Sequence, residues 1–348
     1  MSVMPEPTVV YVACAESRSI HCFNLDDGGK LSPFDVVTVP GGNAPSPSNL
    51  PLALTPDRRA LFAALRCAPF ATTRFDIDTA TGRLKAAGTA PLPAPMAHMS
   101  VSRDGRLLLS ASYVEGKVCL NTVAPTGIKG QPAQLVATPP KAHCIIEGHD
   151  NVVYATTLGG DAIMIFHLDA RRDRFVQAHP QLVPCRAGSG PRHLALHPTL
   201  KVLYCVNELA GTLAVFAIQN ETGALRAMQY ETTTPAGFSG NARAADLHIT
   251  PDGRLAYASV RETNAIAAFR IDQRNGLLSR TALFDVPGSP RSFALDSRGR
   301  FLICAGQTDN VVAVYAIDQD SGGLTKRHEV AVDQNPSWVE TLSPSAAS

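Results

Sequence analysis

The chain has 348 residues, 45% of them hydrophobic, and a formal net charge of +1. That balance excludes a global basic field for nucleic acid and a self-repelling acidic tail, and it leaves ample apolar material for a core. No apolar run approaches the roughly 18 residues of a membrane-spanning helix.

Taken in chain order, the predicted elements are strands that restate one phrase. VVYVACAESRSIHCFNL (9–25) reads as strand, polar turn, strand. LALTPDR (52–58) and MSVSRDG (99–105) are short apolar strands ending in turns, followed by weaker copies of the phrase near Leu61 and Leu107; another copy begins near Val152. The phrase is clearest at VLYCVNELAGTLAVFAI (202–218), LAYASVRETNAIAAFRI (255–271) and FLICAGQTDNVVAVYAI (301–317). LHITPDG (247–253) and FALDSRG (293–299) precede the last two. Asp-Gly and Asp-Arg between apolar runs specify tight hairpin turns. A later set of turns, Thr81-Gly82, Thr222-Gly223, Asn275-Gly276 and Gly322-Gly323, introduces a fourth, more polar strand.

The turn anchors are Asp57, Asp104, Asp150, Thr199, Asp252, Arg298 and Ser345, spaced 46 to 53 residues apart. Four antiparallel strands per repeat of this length predict an all-β, seven-bladed propeller. It is read as one domain over residues 1–348, with no helix of consequence. SWVETLSPS (337–345) is a first strand with nothing after it, while 9–25 lacks a first strand. Segments 9–40 and 336–345 should therefore form one composite blade that closes the ring and seals its edges.

The eight cysteines, Cys14, Cys22, Cys67, Cys119, Cys144, Cys185, Cys205 and Cys304, form no C-x-x-C pair. Most lie inside apolar strand patterns and read as small buried hydrophobes of a reducing compartment. The N-terminus has no basic stretch followed by a long apolar one. A cytoplasmic protein is expected.

In a propeller the first strand of each blade lines the central channel. The starts of first strands and the ends of second strands meet at one mouth; the Asp-Gly turns lie at the other. The starts are Leu50, Ala97, His143, Arg192, Ala245, Arg291 and Trp338, followed one place on by Pro51, His98, Cys144, His193, Asp246, Ser292 and Val339. The second-strand ends are Ala15, Arg66, Tyr113, Leu158, Glu208, Arg261 and Gln307. His143, Arg192, His193, Glu208, Asp246, Arg261 and Arg291 are thus expected to converge on one cleft that takes an anion and holds an acid/base pair. The widest interval contains TPAGFSGNARAADLHI (234–249), which should bring Phe238 and Arg243 over that cleft.

The same residues have plainer uses. Arg192 can bridge blades, Glu208 can be a turn residue, and His143 can be a hydrogen-bonded core histidine. His197 and His248, inside first strands, read as structural, and Trp338 as packing for the closing blade. Asp57, Asp104 and Asp252 read as turn formers on the far face. No P-loop, Gly-x-Ser-x-Gly elbow or zinc-type Cys/His pair is present. The slots lack the acidic cluster of a buried calcium site, so chemistry without metal or cofactor is expected.

GPRHLALHP (190–198), YCVNEL (204–209), ARAADLHITPDGR (242–254) and AGQTDNVVAVY (305–315) resemble the bacterial seven-bladed propeller 6-phosphogluconolactonases. That family is also similar to the fungal propeller enzyme that lactonises carboxymuconate. The resemblance spans nearly the whole chain; Cys67–Thr73 and Thr122–Gln131 diverge from it. It implies hydrolysis of 6-phosphogluconolactone to 6-phosphogluconate in the pentose phosphate route. By motif position, the fungal relative's His, two Arg and Glu fall on His143, Arg192, Arg261 and Glu208.

On this reading Glu208 or His143 serves as the base, and Arg192 or Arg261 faces the oxyanion. Arg66, Arg243 or Arg291 holds the phosphate, with His193, Asp246 and Gln307 as further substrate contacts. The expected partner is a phosphosugar lactone, bound by a monomer or weak dimer that engages neither nucleic acid nor membrane. Two rivals stay open: cyclisation of a muconate-like dicarboxylate, and a non-catalytic propeller that presents its rim to a protein.

Overall fold

The second strands are continuous apolar runs rather than alternating ones, because each sheet has a neighbouring sheet on both faces. Val202–Asn207 and Leu255–Val260 are buried at every position. The outermost strands, such as Leu324–Ala331, meet solvent and alternate. The computed structural model describes residues 8–342 apart from 43, 45–48, 170, 172, 220 and 221. It is a ring of seven antiparallel sheets, six of them four-stranded.

The first blade joins Thr8–Cys14, Ser19–Leu25 and Leu31–Thr38 to the C-terminal strand Pro336–Leu342, which pairs antiparallel with Thr8–Cys14 and closes the ring. The expected anchor Ser345 lies outside the described residues. The remaining blades span 52–91, 98–137, 142–184, 191–232, 244–285 and 290–331. In the third blade the outer strand is split into Gly127–Ile128 and Gln134–Ala137, both paired with Lys117–Ala124. This irregularity falls in the divergent segment Thr122–Gln131. One 3-10 turn, Leu158–Gly160, is the helical structure among the described residues.

Apolar clusters fill the spaces between successive blades; one joins Val202, Tyr204 and Val206 to Ala256, Ala258 and Phe269. A repeated hydrogen bond crosses these seams. The second-strand tyrosine of one blade donates to a turn glycine carbonyl of the next: Tyr11 to Gly82 at 2.7 Å, Tyr154 to Gly223 at 3.0 Å, Tyr204 to Gly276 at 2.8 Å and Tyr257 to Gly322 at 3.0 Å. Gly276 has a φ of 76°, and a Cβ there would lie 2.8 Å from Val202 Cγ2, so glycine is required by both backbone and space.

The expected turn formers hold their turns. Thr55, Ser102 and Thr250 donate at 2.6 Å to Asp57, Asp104 and Asp252. In the fifth blade His197 takes over this role, accepting from Leu200 N at 2.9 Å and lying 3.0 Å from Gly253 O.

The feature that shapes the site is a break in register. The innermost ladders of blades four to seven shift between Ala142 and Ile145, Pro191 and Leu194, Ala244 and Leu247, and Pro290 and Ser292. The skipped residues include His143, Arg192, His193, Asp246 and Arg291. A bulge releases side chains from strict alternation and re-aims them. Second-strand hydroxyls satisfy amides that the bulges take out of the ladder: Cys144 N donates to Thr156 Oγ1 and Asp246 N to Ser259 Oγ, both at 3.0 Å.

Candidate active site

Glu208 ends the second strand of the fifth blade and receives two guanidinium groups on one oxygen. Arg192 Nε donates to Glu208 Oε2 at 2.8 Å, and Arg261 Nη2 lies 3.0 Å from the same atom. Arg192 is 1% exposed, and its Nη1 also reaches the carbonyl of Ala245. Arg261 is anchored from the rim loop, donating from Nε to Arg243 O at 2.9 Å. Burial opposes ionisation of Glu208, but Arg192 and Arg261 hold its carboxyl below the usual range. Burial and the charge of Arg192 bring Arg261 down to about 10.

Arg291 enters the same cluster from the seventh blade. Burial, then the charges of Arg192, Arg261 and Arg66, push its guanidinium well below its ordinary value. Among the described residues Arg291 makes no ion pair. Arg66 stands beside Tyr113, burial again lowering its value. Arg192 and Arg261 share the Glu208 carboxylate and Arg291 stands beside them without one, an excess of two positive charges at this place. Such a place binds an anion.

His143 adjoins this cluster. Burial lowers its imidazole far below the ordinary value, reinforced by Arg192, His193 and Arg291. It is neutral at pH 7. Its Nδ1 is buried with no hydrogen-bond partner among the described residues. Its ring meets Tyr113 edge-on at 5.8 Å, and Lys141 Nζ sits 5.7 Å over that tyrosine. Sequence reasoning does not single out Tyr113 or Lys141. The signal for Tyr113 is present, since it occupies the same second-strand slot as Glu208.

The expected cleft has two parts. Asp246 and His193 adjoin the arginine cluster, the His193 ring lying 5.3 Å from that of His143 and feeling the charge of Arg192. They pair with each other at 2.7 Å and line a separate cavity of about 470 Å³ along the channel, reaching toward the turn-side mouth. The inner strand explains it: His193 and Asp246 lie one residue further along their bulged strands than Arg192 and Ala245. They point to another level. His248, expected to be structural, lies 3.5 Å from Asp246 and lines this same cavity. Trp338 also lines the cavity, in ring contact with His98 and His193, and donates to Glu340 at 2.9 Å.

Arg243 and Gln307 lie on the outer rim. With Arg261, Asn264, Ser289 and Asn310 they line a polar cavity of about 760 Å³. Arg243 is 3.7 Å from Glu262. Phe238 packs on the apolar seam between the fifth and sixth blades instead of covering the cleft. Among the described residues no group of three His, Cys, Asp or Glu is arranged to hold a metal.

Seven sheets around a channel, with a cationic mouth and a neutral imidazole beside it, mark a propeller built to act on an anionic ligand. The chain belongs to the family described as lactonase, 7-bladed β-propeller, which it matches over residues 6–341. A curated 6-phosphogluconolactonase of Pectobacterium carotovorum is 36% identical over 336 residues, covering 96% of this chain and 98% of the relative. One from Serratia proteamaculans is 36% identical over 337 residues, covering 96% and 99%. Among solved structures, a periplasmic gluconolactonase of Pseudomonas aeruginosa is 27% identical with a TM-score of 0.88, covering 97% of this chain and 99% of that one.

Proposed function

We propose that this lactonase hydrolyses 6-phospho-D-glucono-1,5-lactone to 6-phosphogluconate. The observation that carries the substrate is Arg291, enclosed among like charges without an ion pair among the described residues. A phosphate monoester carries a charge of about −1.5 to −2 at neutral pH, which matches the two excess guanidinium charges. The names of the curated relatives support the same substrate.

His143 acts as the base. Glu208 Oε2 is already occupied by Arg192 and Arg261. His143 removes a proton from water as the water oxygen bonds to the lactone carbonyl carbon. Arg261, on the cavity wall, faces the oxyanion that develops. When the ring C–O bond breaks, the leaving oxygen takes the proton from His143, and the new acid ionises to carboxylate. Arg192, enclosed behind Glu208, positions that carboxylate and through it Arg261. The polar rim with Arg243, Asn264 and Gln307 receives sugar hydroxyls.

Similarity to the Pseudomonas periplasmic gluconolactonase favours a second reading, in which the substrate is unphosphorylated gluconolactone. The two separate on one variant. Arg291→Gln should raise KM for the phosphorylated lactone about 10- to 100-fold, the value of one charge-assisted contact, and leave gluconolactone unchanged. Equal effects on both lactones, or turnover of gluconolactone alone, would remove the phosphate assignment. Turnover of a muconate in the same panel would favour the dicarboxylate reading. A cytoplasmic setting, the pentose phosphate route and a monomer or weak dimer belong to this proposal. Eight free cysteines, seven of them buried, support a reducing compartment.

A further inference from the structure

The residues that enter the inner strands share one conformation at the mouth. Asn335, Lys141, Gly190, Arg243 and Ser289 immediately precede the inner strands of blades one, four, five, six and seven. Each has a left-handed backbone, with φ between 52° and 65°. Each carbonyl accepts the amide of the residue that closes the second strand of the same blade: Ala15 at 2.8 Å, Leu158 at 2.9 Å, Glu208 at 2.7 Å, Arg261 at 3.3 Å and Gln307 at 3.3 Å.

This bond is a backbone device and needs no side chain. Glycine adopts the conformation without strain, as at Gly190, and asparagine tolerates it, as at Asn335. Lysine and arginine do not, because the Cβ of an L residue crowds the following carbonyl. At two of the five places the chain therefore keeps a long basic side chain where the backbone favours glycine. Strain of this kind persists where the residue has a task.

The two basic residues differ in the charge they leave over. Arg243 lies 3.7 Å from Glu262. Lys141 is exposed and makes no ion pair among the described residues. Its Nζ stands 5.7 Å over the Tyr113 ring, whose centre is 5.8 Å from that of the His143 ring. The ammonium is thus held on the solvent side of the mouth, one ring away from the base. Arg291, half-buried, brings its charge to the same imidazole from within. An exposed cation–π contact is worth less than the backbone strain at Lys141, so Tyr113 orients the ammonium without accounting for it.

We propose that Lys141 is a specificity-determining residue: its ammonium takes the solvent-facing oxygens of the substrate's phosphate, while Arg291 takes the inner ones. This rests on the reading that the substrate is a phosphorylated lactone, and it adds the residue that admits it. Lys141 acts on capture of the dianion and not on the lactone carbonyl, so its contribution belongs to KM and not to kcat.

The test uses the purified full chain with Lys141→Gly, Lys141→Gln and Lys141→Arg, assayed on 6-phosphogluconolactone and gluconolactone, with thermal melts alongside. Lys141→Gly removes the charge and relieves the backbone. It should melt at or above the wild-type temperature and raise KM for the phosphorylated lactone about 3- to 10-fold, with kcat little changed. Lys141→Gln keeps the strained backbone without the charge and should show the same KM. Lys141→Arg should restore the wild-type KM. Gluconolactone should respond to none of the three. The KM ratio of Lys141→Gln to wild type should shrink as added salt screens the exposed charge. A side chain kept only for structure would change the melting temperature and leave both lactones untouched. Wild-type KM for the phosphorylated lactone in Lys141→Gly and Lys141→Gln overturns the assignment, as does an equal change on both lactones. A lower melting temperature in Lys141→Gly would remove the strain that carries it. A wild-type chain that turns over gluconolactone alone would instead overturn the phosphate reading beneath it.

Discussion

The inner strands of the fifth and second blades occupy equivalent places in the ring and do different work. In the fifth, the ladder skips from Pro191 to Leu194, and both residues between are functional candidates. In the second, Leu52, Ala53 and Leu54 pair with Ala63, Phe62 and Leu61 without a shift, and the preceding residues Leu50 and Pro51 are apolar. A regular ladder sends every side chain into one of two seams. A bulge gives up that regularity and in return aims two consecutive side chains, one at the arginine cluster and one into the channel. The cost is met locally, by Thr156 Oγ1 and Ser259 Oγ on the neighbouring second strands. Polar chemistry is therefore concentrated on the bulged side of the ring, while the regular side supplies packing.

The largest effect that would break this contrast is expected at Arg192. Arg192→Ala leaves Glu208 and the Ala245 carbonyl with lost partners in a buried place. It should cost about 3–5 kcal/mol of stability and abolish turnover, read by urea unfolding and lactone assay. A stable, active variant would mean that the bulge aims nothing of consequence.

The next effect is on pH dependence. Because burial and the neighbouring arginines keep His143 neutral well below 6.5, turnover should stay level from neutral pH down through 6.5 and fall only below it. It should fall again near pH 10 as Arg261 loses its proton. An acid limb at or above 6.5 would place the base outside the cluster.

Stability should also carry a channel signature. Burial raises Glu340 to about 7, against the hydrogen bond from Trp338. The folded state then holds this proton more tightly than the unfolded chain, whose value is near 4.5. Stability should fall as pH rises from 4.5 to about 7, and Glu340→Gln should flatten that slope in melting experiments. The smallest effect belongs to a packing seam between blades. Tyr11→Phe removes the bond to Gly82 across the first seam and should cost about 1 kcal/mol, with kcat unchanged. A loss of rate there would show that the seams between blades also set the site.

Much of this is legible in the chain. The interval of 46 to 53 residues yields the number of blades and the pairing of the chain ends. The slot arithmetic puts Arg192, Glu208, Arg261 and His143 at one mouth, and they meet there. The Tyr and Gly positions are visible as separate motifs, but their bond across the seam is not, because it joins residues 65 to 72 apart. Slot counting brings Asp246 and His193 to the mouth but does not give their pairing with each other, because it assumes an unbroken ladder. The bulge changes depth and direction within one residue, and no residue type announces it. Phe238 departs from expectation for a related reason: its loop is long and polar, but a nearby apolar seam offers more burial than the cleft.

Strand patterning and turn chemistry are local and repeat, so the order of residues was enough to specify the architecture and the residue types that reach the mouth. How those residues divide the labour emerged only in three dimensions. Whether an arginine is spent on Glu208 or left over, as Arg291 is, depends on which blades bring charges together. Which imidazole stays neutral depends on burial and on the guanidiniums that neighbouring blades bring beside it. These are many-body electrostatic facts, fixed when the ring closes.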